Sequence, residues 1–398
     1  MLEKGRKQLK QKEIGIYVHI PFCIQKCSYC DFCSYENKEE LIPRYMKCLL
    51  QEMKEVGEGN QLDYQNHLDD LFLVKTIYIG GGTPSFIKSS YIKQIMTAIF
   101  KNYQVAENAE ITIEVNPGTV NLQKLEDYFQ SGINRLSIGL QSTHPHLLQT
   151  LGRVHTYYDF LDTYHWAREV GFQNINVDLM LGLPNQTLGE LEDSLEEIIS
   201  LEPEHISIYS LIVEEGTSLE KQIQDGTLVL PEEDLERKMY WRAKELLENN
   251  GYVHYEISNF AKPNYESKHN LDCWNQKEYV GFGVSAHSYT NNVRYSNITK
   301  VEEYIANYEK DKIEDNLIFH EKQNKESKKK EYMLLGLRKL EGVSIQEFKN
   351  EFIDNPIFLY HTQLEKLVNE ELLEIDGDYI KLTNKGLDFA NLVWEEFV

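Results

Sequence analysis

The chain has 398 residues, which is enough for one large domain and one or two smaller ones, each with its own core. Its formal net charge is −23 at pH 7, whereas a nucleic-acid-binding protein needs a basic surface that displaces counterions. No apolar run approaches the ~20 residues that cross a bilayer. We therefore expect neither nucleic acid as a partner nor a transmembrane segment.

The beginning of the chain is charged. Residues 1–22 contain no apolar stretch followed by a small-residue cleavage site, so we expect no secretory signal. Four of the six cysteines lie between positions 23 and 33. Clustered cysteines in a chain that is not exported are typical of metal or cluster ligands in a reducing compartment, so we expect a cytoplasmic location.

Short runs rich in β-branched residues alternate with longer amphipathic segments along the first half of the chain. Segment 41–56, for example, repeats its apolar residues at helical spacing. Such repetition of strand and helix predicts parallel βαβ units. The predicted strands are 15–20, 75–80, 110–115, 134–140, 174–181 and 205–211.

Each predicted strand has one aliphatic side and one polar or small side, because successive side chains point to opposite faces. In the third strand, Ile111 and Ile113 alternate with Thr112 and Glu114. A doubly wound sheet is apolar on both faces, and a closed eight-stranded barrel fills its interior with aliphatic side chains, so neither fits. The pattern predicts an α/β fold, an incomplete (β/α)6 TIM-like barrel whose polar lumen holds a ligand. The inward-facing residues include Tyr17, Glu114, Gln141 and Asp178.

The alternation of strand and helix fades beyond about residue 230. We expect residues 252–300 to be irregular and rich in aromatic residues, and the charged run 320–333 to be a solvated linker. The chain then has three predicted parts, namely a barrel core, an extension that includes the linker, and a C-terminal module. Their bounds are 1–235, 236–320 and 321–398.

The C-terminal module is predicted to be α+β and winged-helix-like. Its helical stretches flank a hairpin with Asp376–Gly377 at the turn, and an Asp-Gly pair is a strong hairpin signal. DNA binding is one function of such a fold. The many glutamates favour a lid or a docking domain instead.

Three cysteines follow the first predicted strand in one short loop, with the spacing Cys23-x3-Cys27-x2-Cys30. A structural zinc site would need a fourth ligand, but Cys48 lies in a predicted helix, Cys273 is far away in the sequence, and His19 is on the strand. Three thiolates on one loop suit a four-iron cluster that keeps one iron free for a small molecule. On spacing alone, zinc and a chance cluster of cysteines remain alternatives.

This loop closely resembles the C-x3-C-x-aromatic-C loop of radical S-adenosylmethionine (SAM) enzymes, with Tyr29 as the aromatic residue. A second motif, GGGTPS at 80–85, is similar to the glycine motif of that family, which lets the backbone approach the SAM amino group. The resemblance implies a [4Fe–4S] cluster on Cys23, Cys27 and Cys30. It also implies that SAM binds the open iron and is cleaved after reduction of the cluster.

Further motifs resemble more narrowly the coproporphyrinogen-oxidase-like branch of the radical SAM family, over nearly the whole chain. They include YVHIPFC, IEVNPG, SIGLQS, LGRVH and DLMLGLP. By this resemblance, the SAM site is formed by Tyr17, Tyr29, Gly81, Gly82, Thr83, Glu114, Gln141, Arg153 and Asp178. For Arg153, which lies on a loop, a surface cation is the alternative.

The fourth cysteine of the loop separates two groups within that branch. Oxygen-independent coproporphyrinogen III oxidases carry it two residues after the third, where this chain has Phe32, and Cys33 follows one position later. Those oxidases also have a long arm before the loop, and only 22 residues precede Cys23 here. Both departures resemble the heme-chaperone branch, HemW, whose loop reads C-x3-C-x2-C-x-F. We therefore expect Cys33 to be a free thiol near the cluster.

Heme chaperones of this branch carry an H-N-x-x-Y-W motif, to which the segment HNLDCW is similar. His269 and Trp274 are in place, and Cys273 replaces the tyrosine. The resemblance implies His269 as an axial ligand of heme iron and Trp274 as a stacking partner of the macrocycle. A hydrogen-bonded structural role is the alternative for His269. Lys268 and Arg294 are candidate partners of the heme propionates.

The resemblance leads to two functions of different classes. The first is a heme chaperone that binds heme and transfers it to an acceptor hemoprotein, while it carries the [4Fe–4S] cluster and exchangeable SAM. Such a cluster would also need an electron donor. The alternative is an enzyme, an oxygen-independent coproporphyrinogen III oxidase that decarboxylates substrate propionates, but this activity is not expected with Phe32 in the loop. A third class, an RNA-modifying radical enzyme, is disfavoured by the acidic charge.

Overall fold

The structure is a computed structural model, and it describes residues 12–58 and 72–398. The expectation that the chain has no secretory signal rests partly on residues 1–11, which lie outside the described residues. Within the described ranges, no helix is both long enough and apolar enough to cross a membrane.

The described part of the chain alternates strands and helices along most of its length. The strands are β1 (Lys12–Ile20), β2 (Phe72–Gly81), β3 (Val105–Val115), β4 (Arg135–Gln141), β5 (Ile175–Leu181), β6 (His205–Ser210), β7 (Val253–Glu256), β8 (Asn259–Ala261), β9 (Tyr279–Phe282), β10 (His287–Thr290), β11 (Val293–Asn297), β12 (Leu317–Lys322), β13 (Val343–Ser344), β14 (Leu373–Asp376) and β15 (Tyr379–Leu382). The α-helices are α1 (Ile42–Gly57), α2 (Ser89–Asn102), α3 (Leu122–Gln130), α4 (Pro145–Thr150), α5 (Tyr157–Val170), α6 (Leu188–Ser200), α7 (Ser218–Gln224), α8 (Glu233–Asn249), α9 (Lys268–Trp274), α10 (Val301–Glu309), α11 (Lys325–Gly336), α12 (Ile345–Phe352), α13 (Pro356–Leu359), α14 (His361–Asn369), α15 (Asn384–Asp388) and α16 (Ala390–Glu395). Short 3-10 helices span Glu39–Leu41, Pro84–Phe86 and Ile313–Asn316.

Twelve strands form one sheet in the order β12-β11-β10-β9-β1-β2-β3-β4-β5-β6-β8-β7. Strands β1 to β6 are neighbours in chain order, and each pair is parallel. After β6 the sheet continues with an antiparallel strand instead of closing on β1. This topology confirms the six predicted strands and the α/β fold of an incomplete TIM-like barrel.

The aliphatic sides of the barrel strands form the main core. Ile16, Ile77, Ile113, Ile138 and Val177 are fully buried, and they belong to one apolar cluster that also contains the buried faces of the surrounding helices. Because side chains alternate along a strand, the polar residues of the same strands face the lumen of the barrel.

The extension is not irregular, so the prediction for residues 252–300 was wrong. On one edge of the barrel, β9 pairs in parallel with β1, and β10, β11 and β12 continue the sheet in antiparallel order. On the other edge, β8 pairs with β6, and β7 pairs with β8. The strands within 252–300 have only three to five residues, which is too short for a clear alternation in the sequence.

The charged run at 320–333 is not a solvated linker either. Its first residues end β12, and helix α11 follows after the cap residue Asn324. Lys329 is 4% exposed, and its ammonium group is ion-paired with Glu326 and Asp354. A charge run predicts a solvated segment only where its charges lack partners, and here two carboxylates neutralise the buried lysine.

The C-terminal module has a separate apolar core between the helices from α11 onward and the small sheet β13-β15-β14. Strands β14 and β15 form the predicted hairpin, with Gly377 in its turn at a φ of +58°. The module also contacts the barrel sheet, because the Ile257 N–H donates to Arg338 O at 3.2 Å and the Leu340 N–H to Tyr255 O at 3.1 Å. The bounds of the three parts remain a prediction.

One buried carboxyl group joins helix α1 to the extension. Glu52 is 2% exposed and accepts hydrogen bonds from the Tyr304 hydroxyl at 2.5 Å and from Asn297 Nδ2 at 2.6 Å. It also accepts from the Gly283 N–H at 2.8 Å. Burial raises the pKa of Glu52 from 4.5 to about 7, although these three donors lower it in part.

Because of Glu52, the free energy of unfolding is expected to fall as the pH rises from about 5 to about 8. A raised folded pKa contributes stability that is complete below about 4.5 and is lost as the pH rises through about 7, at most about 3 kcal/mol. Urea unfolding at both pH values should show a flatter pH dependence for Glu52→Gln, because glutamine carries no titrating proton. Glu40→Gln, at an exposed position, should keep the wild-type slope. The same slope in Glu52→Gln would contradict the raised pKa.

Candidate functional site

A cavity of about 430 Å³ opens at the carboxyl ends of the parallel strands. Its volume lies within the range of small-molecule sites, roughly 300–1,000 Å³, and this end of a barrel is where such sites are found. Three sets of residues line the cavity, which are the cysteine loop after β1, the glycine loop after β2, and polar side chains of the lumen.

The cysteine loop is held by backbone hydrogen bonds at its ends and in its middle. The Cys23 N–H donates to Tyr35 O at 2.9 Å, and the Tyr35 N–H donates to Pro21 O at 2.7 Å. Between these ends, the Ser28 N–H donates to Leu151 O at 3.0 Å. These bonds fix the loop against the barrel and hold its thiols at the cavity wall.

Cys23, Cys27 and Cys30 all line the cavity as free thiols. The Thr83 hydroxyl donates to Cys23 Sγ at 3.4 Å. Arg153 Nη1 donates to Cys27 Sγ at 3.6 Å. Burial raises the pKa of the Cys23 and Cys30 thiols. The three sulfurs therefore share one shielded wall, with polar donors directed at two of them.

The chemistry of these donors fits a [4Fe–4S] cluster. Thiolates are the usual protein ligands of such clusters, and hydrogen bonds to their sulfurs tune them. A four-iron cluster binds each cysteine through a different iron, so its ligands need not meet at one point. Within residues 12–58 and 72–398, no three His, Cys, Asp or Glu side chains are grouped so that they could hold a metal ion.

Cys33, the displaced fourth cysteine, is not among the residues that line the cavity. Its thiol donates to Thr299 O at 3.1 Å, and its carbonyl oxygen accepts from His19 Nε2 at 2.8 Å. Phe32 lines the cavity instead and is 66% exposed. Cys33 therefore lies outside the cavity, and its role as a free thiol near the cluster stays a prediction.

The glycine loop depends on the absence of side chains. A Cβ added at Gly82 would lie 2.9 Å from Cys23 Sγ, so only glycine allows the two loops to approach this closely. Gly81 has a φ of +119°, and its N–H donates to Glu114 Oε2 at 3.1 Å. The other oxygen of Glu114 accepts from the Tyr78 hydroxyl at 3.0 Å.

Two carboxyl groups of the lumen, Glu114 and Asp178, line the cavity. Asp178 accepts from Asn176 Nδ2 at 2.7 Å and from the Ser137 hydroxyl at 3.3 Å. Burial raises the pKa of both groups, and Asp178 helps to raise the pKa of Glu114 to about 7. A carboxyl group with a pKa near 7 exists in both protonation states, so it can accept hydrogen bonds from a bound ligand or donate one to it.

Arg153 lines the cavity, so the alternative of a surface cation was wrong. Its Nη2 atom donates to Gly139 O at 2.6 Å and to Asn116 Oδ1 at 2.5 Å. Gln141 also lines the cavity, at a register shift between β4 and β5 and with a φ of +75°. A positive φ is uncommon outside glycine and occurs often at functional sites.

The two predicted tyrosines differ in position. Tyr29 lines the cavity directly. The Tyr17 hydroxyl lies 2.9 Å from His19 Nδ1, and the Tyr17 ring stacks on Tyr78, with centroids 6.3 Å apart. Burial raises the pKa of both tyrosines, so their hydroxyls stay neutral. Tyr17 therefore contacts the cavity wall through Tyr78.

The cavity brings together eleven of the twelve residues predicted for the cluster and SAM. The twelfth, Tyr17, lies behind the cavity wall and stacks on Tyr78. The cavity also includes Tyr78, Asn116, Ser137 and Tyr209, which were not singled out as site residues. All four lie on the polar side of a predicted strand or directly follow it, so strand alternation could have identified them. Ile212, 67% exposed at the cavity, also follows a predicted strand, but it belongs to the aliphatic side, so alternation would have assigned it to the core.

The candidate heme residues are not at this cavity but on helix α9. His269 is 7% exposed, its Nδ1 atom lies 2.9 Å from the Thr76 hydroxyl, and its ring stacks on Tyr78 with centroids 5.3 Å apart. Burial lowers the pKa of His269 to about 4, so its imidazole is neutral. These contacts place His269 inside the barrel, below the cavity and on the other side of Tyr78 from Tyr17. We call this end of the barrel, away from the cavity, the barrel floor.

Trp274, the last residue of α9, contacts the C-terminal module. The Arg338 guanidinium lies 4.4 Å from the Trp274 ring centroid and 4.9 Å from that of Trp394. Such stacking of a cation between two indoles is favourable. Helix α9 therefore reaches from the barrel floor to the C-terminal module.

The other residues considered for heme have different surroundings. Burial raises the pKa of the Cys273 thiol to about 12. Arg294 Nη2 is ion-paired with Glu331 at 2.6 Å, so this cation already has a partner. The Lys268 N–H donates to Glu110 Oε2 at 3.2 Å and begins helix α9.

The incomplete parallel barrel, with a three-cysteine loop and a glycine loop at its cavity, defines a radical SAM protein. The family model described as Radical SAM superfamily matches residues 17–198, and the HemN C-terminal domain model matches residues 324–389. Membership in the radical SAM superfamily implies a [4Fe–4S] cluster and SAM as cofactors.

Curated relatives narrow the family further. The chain is 35% identical to the heme chaperone HemW of Lactococcus lactis subsp. lactis over 98% of both chains. It is 38% identical to the heme chaperone HemW of Bacillus subtilis over 96% of this chain and 98% of that relative. The chain belongs to the HemW family.

A solved structure with the same fold is that of coproporphyrinogen III oxidase (HemN) from Escherichia coli. The TM-score is 0.84, and the match covers 98% of this chain and 90% of that one at 22% sequence identity. At this identity, the likeness shows the fold alone, which is the incomplete barrel with its extension and C-terminal module.

Proposed function

We propose that this protein is a heme chaperone, which binds heme and transfers it to an acceptor hemoprotein. The observation that carries the proposal is the similarity, over nearly the full length, to relatives named heme chaperones. Phe32 supports it, because this residue stands at the cavity where the oxidases of the branch have a cysteine. An electron donor for the cluster and a cytoplasmic location, where free thiols persist, are part of the proposal.

In this proposal, the cluster is held by Cys23, Cys27 and Cys30, and SAM occupies the cavity beside them. When bound, the cluster supplies one-electron chemistry. The glycine loop brings its backbone close enough to bind the SAM amino group, and the lumen carboxyl groups bind other polar groups of the ligand. The residues proposed for SAM are Tyr17, Tyr29, Gly81, Gly82, Thr83, Glu114, Gln141, Arg153 and Asp178.

Heme binding is proposed to involve His269 and Trp274 on helix α9. Neutral imidazole is the form that ligates iron, and His269 is neutral. The hydrogen bond with Thr76 engages Nδ1 of His269, so Nε2 is the atom proposed to ligate the iron. Trp274 lies on the same helix and contacts Arg338, so a change in α9 on heme binding would reach the C-terminal module.

Anaerobic titration of the cluster-reconstituted protein with hemin, followed by absorbance, tests heme binding. We expect saturable binding at about one heme per chain. His269→Ala should weaken binding by about tenfold or more and shift the heme spectrum, because an axial ligand is lost. His361→Ala, at an exposed histidine of the C-terminal module, is the control and should change neither.

The possible outcomes separate the heme site from the function. If the wild type shows no saturable binding, the chaperone proposal is contradicted. Equal binding and equal spectra in His269→Ala would leave heme binding in place and move the iron ligand to another residue. Anaerobic conversion of coproporphyrinogen III over multiple turnovers, with SAM and a reductant, would replace the chaperone function by the oxidase.

A further inference from the structure

Arg135, the first residue of β4, is buried in the barrel and is only 2% exposed. Its register partner on β3 is Thr112, and the partner of Thr112 on β2 is Tyr78. Paired residues of neighbouring strands share a face, so these three side chains lie on the lumen side of the sheet. Tyr78 lines the cavity, and its ring stacks on His269.

Arg135 forms no ion pair with the described residues. No carboxylate oxygen in that part of the chain lies within 4.0 Å of its guanidinium. Its Nε atom is buried without a hydrogen-bond partner, and so is the hydroxyl of the neighbouring Thr112. The carboxyl groups of the lumen are engaged elsewhere, because Asp178 accepts from two lumen side chains and Glu110 accepts from two backbone N–H groups of α9.

A buried arginine without an acceptor is unfavourable. The guanidinium stays ionised at any physiological pH, and a buried charge is tolerated when it is paired. Nearly all buried polar groups of native proteins have a hydrogen-bond partner. After burial itself, the charge of Arg135 is the next cause that lowers the pKa of His205 and His269. Arg135 also lowers the pKa of Asp178 in part, but no carboxylate oxygen of the described residues lies close enough to pair with the guanidinium. The floor of the barrel therefore holds a positive charge that has no directly bonded counter-ion in the described part of the chain.

We propose that Arg135 and Thr112 form a carboxylate-binding site at the barrel floor. This site binds a carboxylate group of a ligand in the lumen. A carboxylate matches the planar fork of a guanidinium and can also accept from a hydroxyl. The main ligand expected at this site is heme, which has two propionate carboxylates, and His269 lies at the same floor. To that extent the inference rests on the proposed function. A small free carboxylate is the other source of this chemistry.

Comparison of hemin with hemin dimethyl ester, in which both propionates are blocked, tests the site on the full-length cluster-reconstituted protein. Arg135→Met keeps a long side chain and removes the charge. We expect this variant to bind hemin about tenfold or more weakly than the wild type and to bind the ester as well as the wild type does. Thr112→Val should show the same pattern with a loss of a few fold.

Thermal unfolding in acetate and in chloride, at equal ionic strength, tests whether the site binds a small free carboxylate. We expect acetate to stabilise the wild type more than chloride does, because a ligand of the folded state raises the midpoint. Arg135→Met should lose this difference. Without acetate the variant should be at least as stable as the wild type, because an unpaired buried charge has been removed.

The two measurements decide the inference even when one ligand fails. If the wild type does not bind hemin, the proposed function fails, and the acetate result alone decides the site. Equal losses for hemin and its ester, together with equal stabilisation by acetate and chloride, would overturn the carboxylate site. A large drop in the midpoint of Arg135→Met without acetate would show a structural role and would also contradict it.

Discussion

Replacing Cys23, Cys27 or Cys30 by alanine is expected to abolish the iron–sulfur absorbance of the reconstituted protein. Each thiol lines the cavity, and the loop that carries them is held by backbone bonds, so no other cysteine can take a vacant place. After anaerobic reconstitution, iron and sulfide analysis should give about four irons per chain for the wild type and fewer than about one for each variant.

Cys33→Ala and Cys48→Ala are the matched controls. The Cys33 thiol donates a hydrogen bond to Thr299 O outside the cavity. Cys48 is buried against helix α10, and its thiol donates to Ile305 O. Both variants should keep the full iron content. The proposed ligand set would be contradicted if Cys33→Ala lost the cluster while an alanine variant of Cys23, Cys27 or Cys30 kept it.

The second large effect is expected for Gly82→Ala. An added Cβ would lie 2.9 Å from Cys23 Sγ and 3.1 Å from the carbonyl carbon of Pro21, so the cysteine loop or the glycine loop must shift. Both loops line the cavity proposed for SAM. Equilibrium dialysis with the reconstituted protein should therefore show SAM affinity reduced by at least about tenfold.

Gly189→Ala is the control for this substitution. Gly189 lies in helix α6, and an added Cβ there meets no atom within 4 Å. Alanine also has a higher helix propensity than glycine, so this variant should fold normally and bind SAM as the wild type does. Unchanged SAM binding by Gly82→Ala would show that the glycine loop does not form the SAM site.

The barrel could be predicted from the sequence because alternation along a strand is a local signal. In β3 it assigned Glu114 to the lumen and Ile113 to the core, and the structure places them at the cavity and in the core. Arg153 is different, because no periodicity applies to a loop. Only the family resemblance assigned this residue to the site.

The extension could not be predicted in this way. Strand β8 has three residues, and its partner β6 is separated from it along the chain by helices α7 and α8. Pairing of such short, distant segments depends on tertiary contacts that leave little local pattern. For the same reason the sequence did not show that His269 would stack inside the barrel.

Arg135 shows another limit of sequence reasoning. A charged residue at the start of a strand is ordinarily expected at the surface. Arg135 is nevertheless buried on the lumen side of the sheet, and helix α9 packs near β2, which are properties of the whole fold. That no ion pair with Arg135 forms among residues 12–58 and 72–398 could be recognised only once those neighbours were known.

Transfer of heme to an acceptor is the most direct test of the proposed chaperone function. The heme-loaded protein would be mixed anaerobically with an apo-hemoprotein, and the change in heme absorbance would be followed in time. A heme chaperone should deliver about one heme per chain, and faster than it releases heme to a passive scavenger. Heme that stays on the protein, or that reaches the acceptor no faster than the scavenger, would contradict this function.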